Sequence, residues 1–125
     1  MKVQTAMIID DDVDFSKLLT VVLEKRKIHV LAVHTLQEAE DYLAYLKPSV
    51  IFLDNSFPEG LGINFIPIIK STDPSIRTIM MTGDTAPWIH DKAVEEGIDY
   101  FLAKPLDKKT IDRVLDELNF TKAAS

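Results

Sequence analysis

The chain has 125 residues, 46% hydrophobic and 27% charged, a balance that suits one soluble globular domain rather than a disordered chain. Its formal net charge of −6 argues against direct nucleic-acid binding, which needs a basic footprint. There is no cysteine, so disulfides and thiolate metal sites are excluded, and a cytoplasmic setting is expected.

No apolar run approaches the roughly 18 residues of a membrane span, and Met1 to Thr5 lack the apolar stretch of a signal peptide. Thr5-Ala6-Met7-Ile8-Ile9 predicts a buried strand ending at Asp10. Phe15, Leu18, Leu19, Val22 and Leu23 then recur at helical spacing, with Glu24, Lys25 and Arg26 at the exposed end. Ile28 to Val33 predicts a second strand. Leu36, Ala39, Leu43 and Leu46 mark a second helix, stopped by Pro48. Val50-Ile51-Phe52-Leu53 is wholly apolar, as expected of a strand covered on both faces. A Pro/Gly loop, Phe57 to Gly62, leads into a third helix over 62–71 that contains Pro67.

Ile76 to Met81 predicts strand four. A fourth helix over 86–97 ends at Gly97. Tyr100 to Ala103 is strand five. Ile111, Val114, Leu115 and Leu118 define a last helix capped by Asp107. Residues 121–125 read as a short frayed tail on a domain of residues 1–120. Five alternating strand–helix units predict an α/β doubly wound parallel sheet with helices on both faces.

In such sheets ligands gather at the carboxyl ends of the strands. Strand one ends in Asp10-Asp11-Asp12, strand three in Asp54, strand four in Thr82-Gly83 and strand five in Lys104-Pro105. With strand order 2-1-3-4-5 these ends meet at one edge. Singly, each has a plain structural reading: Asp12 or Asp11 as a helix cap, Asp54 as a turn-former, Thr82 as a satisfied hydroxyl, Lys104 as a surface charge. Together they suit phosphoryl transfer to a carboxylate. Clustered carboxylates favour a hard divalent cation. Asp54 is then the nucleophile, with Lys104 and the Thr82 hydroxyl available to the phosphoryl oxygens.

Ile8-Ile9-Asp10-Asp11, Leu53-Asp54 with Phe57-Pro58 and Gly62, Thr82-Gly83, and Phe101 followed by Lys104-Pro105 resemble the response-regulator receiver domain of two-component signalling, over about residues 5–119. The resemblance implies a flavodoxin-like (βα)5 fold with Asp54 as phosphoacceptor. It implies Mg²⁺ (or Mn²⁺) held by Asp11, Asp54 and the main-chain carbonyl of Ser56, with Asp10 acting through water. Thr82 and Lys104 would bind phosphoryl oxygens, and Thr82 with Phe101 would form the switch. The donor would be a histidine kinase or phosphotransfer protein. The output would be a protein target or self-dimer, through a face built by helix four, strand five and helix five that carries Trp88, Ile89 and Lys108. A cis Lys104–Pro105 bond is expected.

The loop departs from the family pattern, with Leu61 in place of a polar residue and two glycines expected to loosen the turn. Ser56 and Asp84 are expected to flank the path of a hydrolytic water. Trp88 reads first as a packing residue and second as a partner anchor. His29, His34 and His90 lack ligand spacing, and Met80-Met81 reads as core strand. Three other functions remain readable. A phosphorylation-independent docking module would keep the fold. A haloacid-dehalogenase-type phosphohydrolase would need an acid where Ser56 stands. A flavin carrier would need a phosphate loop where three aspartates stand.

Overall fold

The computed structural model describes residues 4–83 and 86–120. Five strands, β1 (Thr5–Ile9), β2 (His29–Val33), β3 (Val50–Asp54), β4 (Arg77–Thr82) and β5 (Tyr100–Ala103), form one sheet in the order β2-β1-β3-β4-β5, with every pairing parallel. Helices α1 (Val13–Lys25), α2 (Leu36–Leu43), α3 (Ile66–Thr72), α4 (Pro87–Glu95) and α5 (Lys108–Glu117) connect them. This is the flavodoxin-like (βα)5 arrangement. Among the described residues, no helix is long and apolar enough to cross a membrane.

The apolar pattern explains the layers. β3 is buried at all five positions, and its side chains alternate between two cores. Ile51 and Leu53 join Met7, Ile9 and Met80 against α2, α3 and α4. Val50 and Phe52 join Ala6, Ile8, Ile79 and Met81 against α1 and α5. Met80 and Met81 thus fill opposite cores, as strand alternation requires.

Polar caps fix where the helices start. Asp12 Oδ1 accepts from the Phe15 N–H at 3.0 Å and Asp107 Oδ1 from the Thr110 N–H at 2.8 Å, each satisfying an amide with no intrahelical partner. At α2, Thr35 Oγ1 accepts from the Glu38 N–H, and Glu38 Oε1 in turn accepts from the His34 N–H.

Several expectations need correction. α2 stops at Leu43 rather than reaching Leu46, because the chain tightens there, with Tyr45 and Leu46 both donating to the Tyr42 carbonyl. The third helix begins as a 3₁₀ turn, Gly62–Phe65, so Pro67 falls in the first turn of α3, where its missing N–H costs nothing. The preceding loop contains a small antiparallel hairpin, Ser56–Phe57 with Gly60–Leu61. Arg26 is buried rather than exposed, because its guanidinium turns inward to α5. On α4 the helical phase is set from Pro87: Ile89 enters the core, while Trp88 is 56% exposed and does not pack as a core residue. Asp84 and residues 121–125 lie outside the described residues.

Candidate functional site

The parallel sheet brings Asp10, Asp54 and Lys104 together at its carboxyl edge. Asp10 follows β1 and has no exposed surface. Its Oδ1 accepts from the Asp12 N–H at 2.9 Å and its Oδ2 from Lys104 Nζ at 2.7 Å. Its backbone is pinned as well: the Asp10 N–H donates to the Val33 carbonyl, and the Asp10 carbonyl accepts from His34 Nδ1 at 2.9 Å. A carbonyl can only accept, so His34 Nδ1 carries the proton.

Asp54 is the last residue of β3 and is 6% exposed. Lys104 Nζ lies 3.3 Å from its Oδ1. Asp11 is exposed, yet one oxygen from each of Asp10, Asp11 and Asp54 fits within 4.8 Å of the others. These carboxylates, with Asp12, Ser56, Gly83 and Lys104, line an open cleft of about 730 Å³. Thr82 is buried at the end of β4, and its carbonyl accepts from the Lys104 N–H at 2.9 Å.

The electrostatics follow from this crowding. Burial, and then the neighbouring Asp10 charge, push the Asp54 carboxyl above the ordinary aspartate value, although Lys104 pulls it down. Burial also works against the Lys104 ammonium, but its hydrogen bond and charge contact with Asp10, and then with Asp54, outweigh that and hold its pKa above the ordinary lysine value. A cluster with this excess of negative oxygen suits a small hard cation that keeps part of its water shell.

The loop after Asp54 folds back on the end of β3. Asn55 Oδ1 accepts from the Ile63 N–H at 3.0 Å, and the Asn55 carbonyl from the Gly62 N–H at 2.7 Å. A Cβ at Gly62 would stand 2.0 Å from the Asp54 carbonyl oxygen. Gly62 therefore tightens this turn against β3, contrary to the loosening expected of it. Glu59, at the hairpin tip, accepts from the Leu36 N–H at 2.8 Å and ties the hairpin to α2.

Phe101 is half-buried on β5 with its ring edge-to-face with His90, the centroids 5.0 Å apart. The Lys104–Pro105 bond is cis. Sequence reasoning missed His34, Asn55, Glu59, His90 and the ring of Phe15, which lies 4.5 Å from Lys104 Nζ. For His34 a signal existed: Val33 pairs with Ile9, so the next residues, His34 and Asp10, are neighbours once the strand order is fixed.

The sequence profile of the response regulator receiver domain matches residues 6–116. The chain belongs to the response regulator receiver domain family. This receiver domain is 28% identical over 107 residues to the response regulator protein PilR of Pseudomonas aeruginosa, covering 86% of this chain and 24% of PilR. It spans less than two thirds of the length of such curated relatives, 61% for the photosynthetic apparatus regulatory protein RegA of Cereibacter sphaeroides, at 24% identity over 90% of this chain. Among solved structures, a Burkholderia pseudomallei response regulator with a phosphorylated aspartic acid, calcium ion and citrate is 27% identical with a TM-score of 0.84, covering 93% of this chain and 71% of that one. The beryllofluoride-activated NtrC4 receiver domain dimer is 31% identical with a TM-score of 0.85, covering 90% and 93%.

Proposed function

We propose that this receiver domain is a phosphorylation-dependent signalling switch, with residues 1–120 as its folded unit and Asp54 as its phosphoacceptor. The observation that carries the reading is the seat of Asp54: buried at the end of the central strand, within 4.8 Å of Asp10 and Asp11 oxygens, and 3.3 Å from the Lys104 ammonium. The Burkholderia pseudomallei relative, whose structure contains a phosphorylated aspartic acid and a calcium ion, supports it.

In the transfer step an Asp54 carboxylate oxygen attacks the phosphorus of a phosphohistidine on a histidine kinase or phosphotransfer protein. The new P–O bond forms as the P–N bond breaks, and its electron pair leaves with the imidazole nitrogen. Lys104, already between Asp10 and Asp54, turns an N–H to a phosphoryl oxygen, and the Thr82 hydroxyl takes another. Mg²⁺ or Mn²⁺, held by Asp11, Asp54, the Ser56 main-chain carbonyl and, through water, Asp10, would neutralise charge on the transferring group. Asp10 suits the water-mediated part because both its oxygens are already engaged, by Asp12 N and Lys104.

Output is assigned to the face of α4, β5 and α5. Drawing Thr82 towards the new dianion would let Phe101 move inward, since a phosphoryl group is a strong acceptor. The exposed Trp88 and Lys108 on this face are the candidate contacts for a protein target or a second copy, and the NtrC4 dimer is consistent with the latter. The test is intact-mass measurement after acetyl phosphate treatment. One phosphate should appear with Mg²⁺, none without it, and none in Asp54→Asn. A phosphopeptide that lacks Asp54 would remove the assignment.

A further inference from the structure

We infer that Phe15 is a positioning residue for Lys104, its ring face forming the third side of the seat that holds the ammonium between Asp10 and Asp54. The inference rests on the reading of Asp54 as phosphoacceptor and deepens it. Lys104 Nζ lies 2.7 Å from Asp10 Oδ2, 3.3 Å from Asp54 Oδ1 and 4.5 Å from the Phe15 ring centroid. A cation this close to an aromatic ring is attracted by the negative ring face, most strongly where the cation has lost water. The Lys104 side chain is only 21% exposed, so protein replaces part of its water shell.

Two carboxylates leave a flexible four-carbon stem free to swing about the line between them. A ring on a further side removes that freedom. Phe15 is itself fixed twice. Its N–H is held by Asp12 Oδ1 at 3.0 Å, and its side chain packs against the core that contains Ile8 and Leu19. The contacts close on themselves: Asp10 holds the Asp12 N–H, Asp12 holds the Phe15 N–H, the Phe15 ring meets Lys104, and Lys104 returns to Asp10. A π face also differs from a third carboxylate in a useful way. It attracts the charge without claiming a particular N–H, so the ammonium stays in place while its donors turn to an arriving phosphoryl oxygen.

Phe15→Leu and Phe15→Met keep apolar bulk without a π face, and Phe15→Tyr keeps both. The first readout is the proton shift of the Lys104 methylene next to Nζ in the metal-free protein. An upfield ring-current displacement is expected in the wild type and in Phe15→Tyr, and its loss in the two ring-less variants. The second is the rate of Asp54 phosphorylation by acetyl phosphate with Mg²⁺. It should fall about fivefold without the ring and return in Phe15→Tyr, with the Mg²⁺ dissociation constant unmoved throughout. Equal rate losses in the Leu and Tyr variants, a parallel loss of Mg²⁺ affinity, or an undisplaced Lys104 methylene in the wild type would each overturn the inference. If the wild type takes up no phosphate at Asp54, the phosphoacceptor reading fails, and the Lys104 resonances still decide the Phe15 contact.

Discussion

Two cations in this molecule each sit between a pair of aspartates, at different places and in different states of charge balance. Arg26, just past α1, donates to Asp112 at 3.1 Å, to Asp116 at 2.8 Å and to the Phe120 carbonyl at 3.2 Å, with 6% of its side chain exposed. Lys108 adds a second positive charge at Asp112, so two cations meet two carboxylates. Lys104, at the strand ends, is a single ammonium between Asp10 and Asp54, whose oxygens lie within 4.8 Å of one from Asp11. A planar fork with matched partners makes a staple between α1 and α5. A point charge outnumbered by carboxylates leaves negative charge uncompensated, and that surplus is what a divalent cation can neutralise.

The comparison breaks most visibly in kinetics. Lys104→Met should slow phosphorylation by acetyl phosphate about 100-fold, the scale of losing one positioned donor to a developing oxyanion. Arg26→Met should stay within about twofold of the wild-type rate, as expected of a staple. Similar losses in the two variants would erase the distinction between staple and site.

Next in size is the response to metal. Mg²⁺ at a hundred times its dissociation constant should stabilise the folded domain by about 2.7 kcal/mol. In urea unfolding, Arg26→Met should gain the same increment and Asp11→Ala less. A normal gain in Asp11→Ala would remove Asp11 from the metal set. Without metal, Arg26→Met should itself lose about 2 kcal/mol, less than for a fully buried pair because the carboxylates left behind reach solvent. An unchanged urea midpoint would show that the staple carries no stability.

The smallest effect concerns pH and sharpens the contrast. Asp54 has a raised pKa in the folded protein, so its neutral form favours the fold. That contribution is complete below the ordinary aspartate pKa and is lost as pH rises through the higher folded value. Asp112 is the reverse. Its hydrogen bond to Lys108, reinforced by Arg26, lowers its pKa against the opposing effect of burial. Its contribution is present above the ordinary value and lost as pH falls through the depressed one. Metal-free Asp54→Asn, fixed in a neutral form, should therefore gain stability over the wild type as pH rises through the Asp54 pKa, whereas Asp112→Asn should lose stability over the rise through the Asp112 pKa. Unfolding free energies measured across the acid range decide both signs.

Much of this was legible in the sequence because the signals are short-range. Strand periodicity and the residues just past each strand place Asp10, Asp54 and Lys104 at one edge once parallel order is assumed. What escaped was set by distant partners. Arg26 looked like the exposed end of a helix because its carboxylates are 86 and 90 residues away. Phe15 fitted the apolar stripe of α1, and nothing local distinguishes a ring facing core from one facing an ammonium. Gly62 looked like freedom in a loop, yet it is demanded by backbone passing close to the Asp54 carbonyl. Trp88 and Ile89 were separated by helical phase, which depends on where α4 begins.

The bond from the Leu36 amide to Glu59 makes that amide a gauge of loop opening. An amide in the first turn of a helix ordinarily has no acceptor within its own helix and exchanges its proton with water quickly. Here a carboxylate on the hairpin between Ser56 and Gly62 supplies the acceptor from a different part of the chain. Each time the hairpin lifts from α2, the Leu36 proton becomes free to exchange. Deuterium uptake at this one position would therefore report on the contact between α2 and the segment that follows β3, without a label or a ligand in the cleft.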